Sequence, residues 1–188
     1  MKRTLTLVAG AVLSLSLFVG QASASSNDSI DFQIESFKEQ ALQSLQSEYP
    51  NAQFIESDEE QEKLTKSITP FAAAAPLTYL EAYATISTNY PEYEYFSENQ
   101  LASIEDHGGD EMYIVTAELG YGSTRFARME GDRLSIYDRQ DIDLDGDNIV
   151  DGSYLWWDAS GYEEGEFTYQ NTSSNAPWNT MSDRMNIR

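Results

Sequence analysis

The residues best suited to chemistry lie in one acidic stretch, which runs from Asp141 to Asp151 as Asp-Ile-Asp-Leu-Asp-Gly-Asp-Asn-Ile-Val-Asp. Carboxylates this close along a chain repel one another unless a positive charge lies between them. Ca²⁺ takes about six to eight oxygen ligands, and a tight loop can turn every second side chain towards one ion. The stretch therefore predicts a single bound calcium ion.

The register of the loop decides which of its atoms would bind the ion. A loop that starts at Asp141 places Gly146 at the sharp turn but leaves an isoleucine at the ninth position. A loop that starts at Asp143 needs only Asn148 at the turn, and asparagine tolerates left-handed backbone geometry. We adopt the second register, whose predicted ligands are the carboxylates of Asp143, Asp145, Asp147 and Asp151 and the backbone carbonyl of Ile149.

This loop differs from an EF-hand. Its twelfth position holds Tyr154 in place of the bidentate glutamate, and no helical pattern flanks it. A loop that joins two strands lacks the helix pair through which sensor EF-hands change shape. We therefore predict a structural calcium ion and assign no catalytic or cofactor-binding residue around it. The alternative is a solvated acidic turn without an ion.

Catalytic chemistry has fewer candidates. His107 is the only histidine, and Asp106 or Asp110 could orient it as a general base; the alternative is a loop histidine without catalytic duty. The chain has no cysteine and no Gly-x-Ser-x-Gly motif, and a single histidine cannot make a usual zinc site. An Asp/Glu pair for glycoside hydrolysis stays open among 32 acids.

Aromatic residues offer a second kind of binding surface. Trp156, Trp157 and Trp178 could form a platform on which sugar rings stack. Because side chains alternate along a strand, Trp156 and Trp157 should point to opposite faces of theirs. We expect one of the two in the core and the other partly exposed.

The start of the chain predicts export. Met1-Lys2-Arg3 is basic, an apolar run follows from Leu5 to Val19, and Ala22-Ser23-Ala24 has the small residues that signal peptidase reads. We predict a signal peptide over residues 1–24 and a secreted, extracellular protein, with a retained membrane anchor as the alternative. Because the chain lacks cysteine, packing and a metal ion would have to supply the stability that disulfides give many exported proteins.

The formal net charge of −21 limits the partners. Such a surface repels the phosphates of nucleic acids and of anionic lipids, so we predict neither nucleic-acid binding nor membrane insertion. It would attract a basic protein. The alternative is that the charge serves solubility alone.

A change of pattern divides the exported part at Pro70-Phe71-Ala72-Ala73-Ala74-Ala75-Pro76. Residues 25–75 predict a helical pro-region or spacer that ends in this Ala/Pro linker, because two prolines bracketing alanines interrupt a helix. Within it, Ile34, Phe37 and Leu45 fall on one helix face, and residues 57–66 predict a second short helix.

Residues 76–188 alternate with period two and predict a β-rich secreted domain. Leu80, Ala82, Ala84 and Ile86 should share one strand face, residues 124–129 and 133–137 should form a hairpin, and Ser97 should open a short helix that ends near Glu105. The predicted fold class is α+β: a β-rich single domain, an antiparallel sandwich or twisted sheet of about six strands and one short helix, preceded by the helical N-terminal segment.

A set of motifs runs through this domain: Asp106-His107-Gly108-Gly109, Glu118-Leu119-Gly120-Tyr121-Gly122, the acidic loop leading into Tyr154-Leu155-Trp156-Trp157-Asp158, Phe167-Thr168-Tyr169-Gln170 and Ala176-Pro177-Trp178-Asn179-Thr180. In these motifs the region resembles the YolA-like family of small secreted bacterial proteins of unknown function. The resemblance implies a secreted role and supplies no activity. Residues 25–75 lie outside it.

We predict from these features a secreted, acidic, calcium-stabilised binding or interaction protein of unknown extracellular ligand, for which a glycan and a basic protein are the candidates. No combination of nucleophile and base is visible in the sequence, which is the reason for preferring binding to catalysis. One alternative is a secreted hydrolase that uses Asp106 and His107 or an Asp/Glu pair. Another is a secreted toxin or antagonist whose N-terminal segment acts as a pro-region.

Overall fold

A computed structural model describes residues 26–55 and 75–188 of the chain. These residues form one helix and two antiparallel sheets, so the protein is β-rich with its helix near the N-terminus, as predicted. The predicted signal peptide, the second helix at residues 57–66 and most of the Ala/Pro linker lie outside the described residues.

The elements follow one another along the chain as α1 (Ser26–Glu48), β1 (Gln53–Ile55), β2 (Tyr79–Ser87), β3 (Glu94–Tyr95), β4 (Met112–Leu119), β5 (Gly122–Met129), β6 (Asp132–Arg133), β7 (Ser135–Asp143), β8 (Gly152–Asp158), β9 (Gly165–Ser173) and β10 (Thr180–Ile187). The larger sheet has six strands in the order β1-β7-β8-β4-β2-β3, and the smaller has four in the order β10-β9-β5-β6.

Each face of the six-stranded sheet buries its own hydrophobic cluster. On one face, Leu155 and Trp157 pack with Phe167 and Tyr169 of the four-stranded sheet. On the other face, residues such as Val115 and Trp156 pack with apolar residues of α1, which are Ile30, Ile34 and Phe37. Burying a large apolar side chain contributes about 1.5–3 kcal/mol, so α1 is held by hydrophobic contact along one stripe.

A β-bulge in β2 corrects the prediction that Leu80, Ala82, Ala84 and Ile86 share one face. The pairing of β2 with β4 shifts register between Ala82 and Ala84. Leu80 and Ala82 therefore face the four-stranded sheet, whereas Ala84 and Ile86 face α1. An extra residue in one strand reverses the alternation beyond it, and no periodicity argument detects such an insertion.

The predicted helix from Ser97 to Glu105 is wrong, because this segment is a turn followed by irregular chain. Gln100 Oε1 does accept a hydrogen bond from the Ser97 backbone N–H at 3.2 Å, which is the contact of a capping box. The N–H groups of Ile104 and Glu105, however, donate to the Glu94 carboxylate at 2.7 and 2.9 Å. A carboxylate outside the segment thus takes the donors that a helix would have used.

The predicted hairpin around residues 130–132 forms only in part. β5 pairs with β6 over just two residue pairs, Arg128 with Arg133 and Met129 with Asp132. The chain then enters β7, which belongs to the six-stranded sheet and pairs there with β8. Short strands such as β3 and β6, and β1 from the N-terminal segment, bring the described strands above the predicted number of about six.

Candidate functional site

The acidic loop lies at the connection from β7 to β8. Asp143 is the last residue of β7, and β8 begins at Gly152, one residue after Asp151. The Asp151 backbone N–H donates to the Ile142 carbonyl at 2.7 Å, which closes the loop at its base. Ile142 is buried against the α1 side of the sheet, so the core fixes the loop at that end.

Three of the predicted ligands come together in this loop. Asp143, Asp145 and Asp151 each offer a carboxylate oxygen, and these oxygens lie within 4.8 Å of one another. Calcium binds oxygen at about 2.3–2.6 Å, so one ion placed between the three oxygens could reach all of them. The spacing of these residues fits a single hard cation.

The fourth predicted carboxylate, that of Asp147, is not part of this group, and neither is the nearby carboxylate of Asp141. The Asp147 carboxylate accepts a hydrogen bond from the Ile149 backbone N–H at 2.8 Å, and among the described residues it does not belong to the group of converging oxygens. Asp141, which would be the first ligand of the alternative register, accepts hydrogen bonds from Arg139 Nε at 2.7 Å and Ser153 Oγ at 2.6 Å. Its charge is therefore already compensated.

Asp143 is the anchor of the loop. Its side chain is buried, and its two oxygens accept from the backbone N–H groups of Asp145, Gly146 and Asn148 at 2.7–3.1 Å. Burial raises the pKa of the Asp143 carboxyl, but the hydrogen bonds from Gln53 and from the loop outweigh it and lower the pKa below the usual value. A bound ion would share these oxygens with the loop N–H groups.

Asp151 has the opposite electrostatic environment. Burial raises the pKa of its carboxyl, and the neighbouring Asp145, Asp143 and Asp147 raise it further, against one hydrogen bond from the Leu144 N–H. Burial is the largest cause of this raised pKa, and the like charges of the neighbouring carboxylates add to it. Within residues 26–55 and 75–188, none of the three converging carboxylates forms an ion pair.

The N-terminal segment supports the loop from outside the β-hairpin. β1 pairs with β7 so that Gln53 lies opposite Asp143. Gln53 Nε2 donates to Asp143 Oδ2 at 2.8 Å and to Asn148 Oδ1 at 3.1 Å. Residues assigned by sequence to a pro-region or spacer thus contact the predicted metal site.

His107 lies in a second polar cluster, which is buried. Its side chain is 0% exposed, with Nδ1 3.3 Å from Ser87 Oγ and Nε2 3.2 Å from Glu94 Oε2. The residue that orients the ring is therefore Glu94, whereas the sequence pointed to Asp106 or Asp110. Nothing in the spacing of Ser87 and Glu94, which belong to different strands, indicated that they meet at His107.

The charges of this cluster follow from its hydrogen bonds. Burial alone would raise the pKa of the Glu94 carboxyl, but hydrogen bonds from Ile104, Glu105, His107 and Gln100 lower it below the usual value. Burial lowers the pKa of His107 and outweighs the opposing effect of Glu94. The neutral ring therefore donates from Nε2 to Glu94 and accepts the Ser87 hydroxyl proton at Nδ1, which is the hydrogen-bond pattern of a serine, a base and a carboxylate.

The tryptophans do not form the predicted platform. Trp156 and Trp157 point to opposite faces of β8 as expected, but both are buried, one against α1 and the other between the sheets. Trp157 Nε1 donates to Thr116 Oγ1 at 2.8 Å inside the core. Only Trp178, in the connection from β9 to β10, is exposed.

Comparison with known proteins identifies a family whose function is unknown. Within the part of the chain that the structure describes, no helix is long and apolar enough to cross a membrane. A search of curated proteins finds no match to this chain. Residues 69–187, which cover the β-rich domain, match a family described as a domain of unknown function. The chain therefore belongs to the family of the domain of unknown function DUF4879.

Proposed function

We propose that this chain is a secreted binding protein stabilised by one calcium ion, with its two sheets packed as an antiparallel sandwich. The observation that carries the proposal is the convergence of Asp143, Asp145 and Asp151 at the connection from β7 to β8. Their charges repel one another, and a divalent cation would turn that repulsion into attraction. The signal-peptide pattern at the start of the chain supports an extracellular location, where calcium is abundant.

The binding assignment has separate support from an aromatic surface beneath α1. Phe37 of the helix is surrounded by five aromatic rings, with centroid distances of 4.9–6.0 Å, from Tyr83, Tyr93, Tyr95, Tyr154 and Trp156. Tyrosine and tryptophan are enriched in binding surfaces because each joins a large apolar area to a polar group. The helix covers this surface as a pro-region would.

Calcium should raise the thermal stability of the full chain after chelator treatment. At about a hundredfold excess over the dissociation constant, binding to the folded state alone adds about 2.7 kcal/mol. Melting curves recorded with calcium and with chelator should then differ by several degrees. Asp145→Asn should remove this difference, whereas Asp110→Asn, the same change at an exposed site outside the loop, should keep it. Superimposable wild-type curves would contradict the calcium proposal.

A second candidate function is ester or amide hydrolysis with Ser87 as the nucleophile. The observation that favours it is the chain of contacts from Ser87 through His107 to Glu94. Two observations argue against hydrolysis. All three residues are buried, and the carboxylate contacts Nε2 of His107, whereas in serine hydrolases it contacts Nδ1 of the histidine. The cluster also has a structural use, because Glu94 fixes the loop that follows Gln100.

Labelling with a fluorophosphonate probe distinguishes the two candidates, because the probe reacts with activated serines. The binding proposal expects no stoichiometric labelling of the folded chain, since a nucleophile must reach its substrate. Labelling that disappears in Ser87→Ala but persists in Ser135→Ala, an exposed serine on another strand, would replace binding with hydrolysis.

The toxin or antagonist alternative depends on removal of residues 25–75. Because α1 and β1 contact the six-stranded sheet, removal of these residues would expose the part of that sheet which they contact. N-terminal sequencing of the protein from culture medium tests the alternative. A start near residue 76 would support a pro-region, and a start at Ser25 in all molecules would support a permanent part of the fold.

A further inference from the structure

The arginines of the β-rich domain are concentrated on one sheet. Residues 75–188 contain no lysine, and their basic residues are the arginines at positions 125, 128, 133, 139, 184 and 188. Arg128, Arg133 and Arg184 belong to three strands of the four-stranded sheet. In a chain with a formal charge of −21, this concentration of arginines on one sheet needs an explanation.

The strand register places these three arginines in a single row. Arg133 of β6 lies opposite Arg128 of β5, Arg128 lies opposite Thr168 of β9, and Thr168 lies opposite Arg184 of β10. Residues directly opposite one another point to the same face. Their neighbours Ala127, Phe167 and Met185 are buried in the core between the sheets, so the row lies on the outer face.

This row of arginines lowers the stability of the sheet locally. Like charges directly opposite each other in a sheet destabilise it, and Arg128 and Arg133 are such a pair. Among the described residues, none of the three guanidinium groups pairs with a carboxylate. Arg128 donates to the Gly131 carbonyl at 2.9 Å, and Arg133 lies over the Phe126 ring, 5.1 Å from its centroid. Departures from local rules such as this pair of opposed arginines are expected mainly at functional sites.

The row borders a groove of about 570 Å³. Its floor holds Phe126, Gln170 and Ser182, which form the next cross-strand row, and its far wall is the segment with Glu98 and Leu101. Asp183 also lines the groove, but its carboxylate already accepts from the backbone N–H groups of Ala82 and Arg184 at 2.7 and 2.8 Å. The groove thus combines the guanidinium groups of Arg128 and Arg184 with one aromatic ring, neutral polar side chains and the carboxylates of Glu98 and Asp183.

We propose that this outer face binds an acidic saccharide, a glycan that carries carboxylate or phosphate groups. Guanidinium groups match both anions in two-pronged geometry. Thr168, Gln170 and Ser182 can exchange hydrogen bonds with the hydroxyl groups of a sugar. This inference names the ligand of the proposed binding protein and rests on that proposed function.

The spacing of the row favours a glycan over other polyanions. Thr168 separates Arg128 from Arg184 by two strand spacings, about 10 Å. A ligand whose charges alternate with neutral hydroxyl-bearing units matches this pattern. A nucleic acid, with a charge on every nucleotide, would extend from the row onto an acidic surface that repels it.

Affinity measurements with the full chain test the proposal, with hyaluronate, whose carboxylates alternate with neutral sugars, as the carboxylate probe and phosphomannan, whose phosphates lie among neutral mannoses, as the phosphate probe. At least one of them should bind, and the affinity should fall as salt is raised. Arg184→Gln should weaken binding about tenfold or more, since it removes a charge-assisted contact. Arg139→Gln, which removes one positive charge from the other sheet, should leave binding within about twofold.

Each contrary result has a separate meaning. If Arg184→Gln and Arg139→Gln weaken glycan binding equally, or if neither variant weakens it, the binding site is not on the outer face. The protein would still be a glycan-binding protein. Tighter binding to oligothymidylate or polyglutamate than to either glycan overturns the choice of a saccharide. If the folded wild-type chain binds neither acidic glycan but binds neutral cell-wall glycans, the inference fails and the proposed binding function survives. If the chain binds no glycan and no protein partner, both the inference and the proposed function are contradicted.

Discussion

Phe37→Ala should destabilise the protein by about 3–5 kcal/mol, the usual cost of removing a buried aromatic side chain. Phe37 is 2% exposed and contacts rings from β2, β3, β8 and the chain before β3. Its removal leaves a cavity among rigid rings that cannot close around it. The melting temperature should fall by roughly 10 °C, which thermal melts followed by near-ultraviolet circular dichroism would detect.

Phe32→Ala is the matched control on the same helix. Its side chain is 70% exposed, so the same substitution should change the free energy of unfolding by about 0.5 kcal/mol or less. Similar melting temperatures for the two variants would show that α1 does not pack on the sheet in solution. The pro-region interpretation would then lose the contact on which it depends.

Glu118→Ala should have an effect of similar size, because Glu118 is the centre of a buried polar network between the sheets. Its carboxylate accepts from Arg125 Nε at 2.7 Å, from the Tyr169 hydroxyl at 2.6 Å and from Asn171 Nδ2 at 2.8 Å. Removing one partner of a buried ion pair costs about 3–5 kcal/mol, because the remaining groups stay buried without it. Denaturant unfolding of the variant would measure this loss.

Two further variants separate charge from shape in this network. Glu118→Gln keeps the volume and one carbonyl acceptor, so it should destabilise less than Glu118→Ala. Glu164→Ala removes an exposed glutamate from the connection between β8 and β9 and should change the free energy of unfolding by about 0.5 kcal/mol or less. Equal stability of wild type and Glu118→Ala would contradict the network.

The same network explains the motif Glu118-Leu119-Gly120-Tyr121-Gly122. Gly120 has a φ of 88° at the turn from β4 to β5, and a Cβ there would collide with the Pro76 backbone carbonyl. A Cβ at Gly122 would collide with the amide of Asn171, which donates to Glu118. The motif therefore joins the two sheets, and nothing in its contacts indicates catalysis.

Elements that depend on local periodicity could be predicted from the sequence. α1 follows from the apolar stripe of Ile34 and Phe37, and the β-rich character of residues 76–188 follows from their period-two pattern. The acidic loop could be located because its chemistry is contained in consecutive residues. Of its predicted ligands, Asp143, Asp145 and Asp151 converge, whereas Asp147 does not.

Features that depend on contacts distant in sequence could not be predicted. The bulge in β2 shows itself only against β4, and the helix expected after Ser97 is prevented by the Glu94 carboxylate. Glu94 and Ser87 reach His107 from separate strands, so sequence spacing carried no signal of their meeting. The row of arginines is likewise invisible along the chain, because strand register alone aligns it.

The most direct test of the calcium-stabilised fold is calorimetric titration of calcium into the chelator-treated full chain. We predict one ion per chain for wild type and for Asp110→Asn, and loss of binding for Asp145→Asn, whose carboxylate is one of the three that converge. No binding to wild type, or equal binding to wild type and Asp145→Asn, would contradict the assignment of a calcium site to this loop.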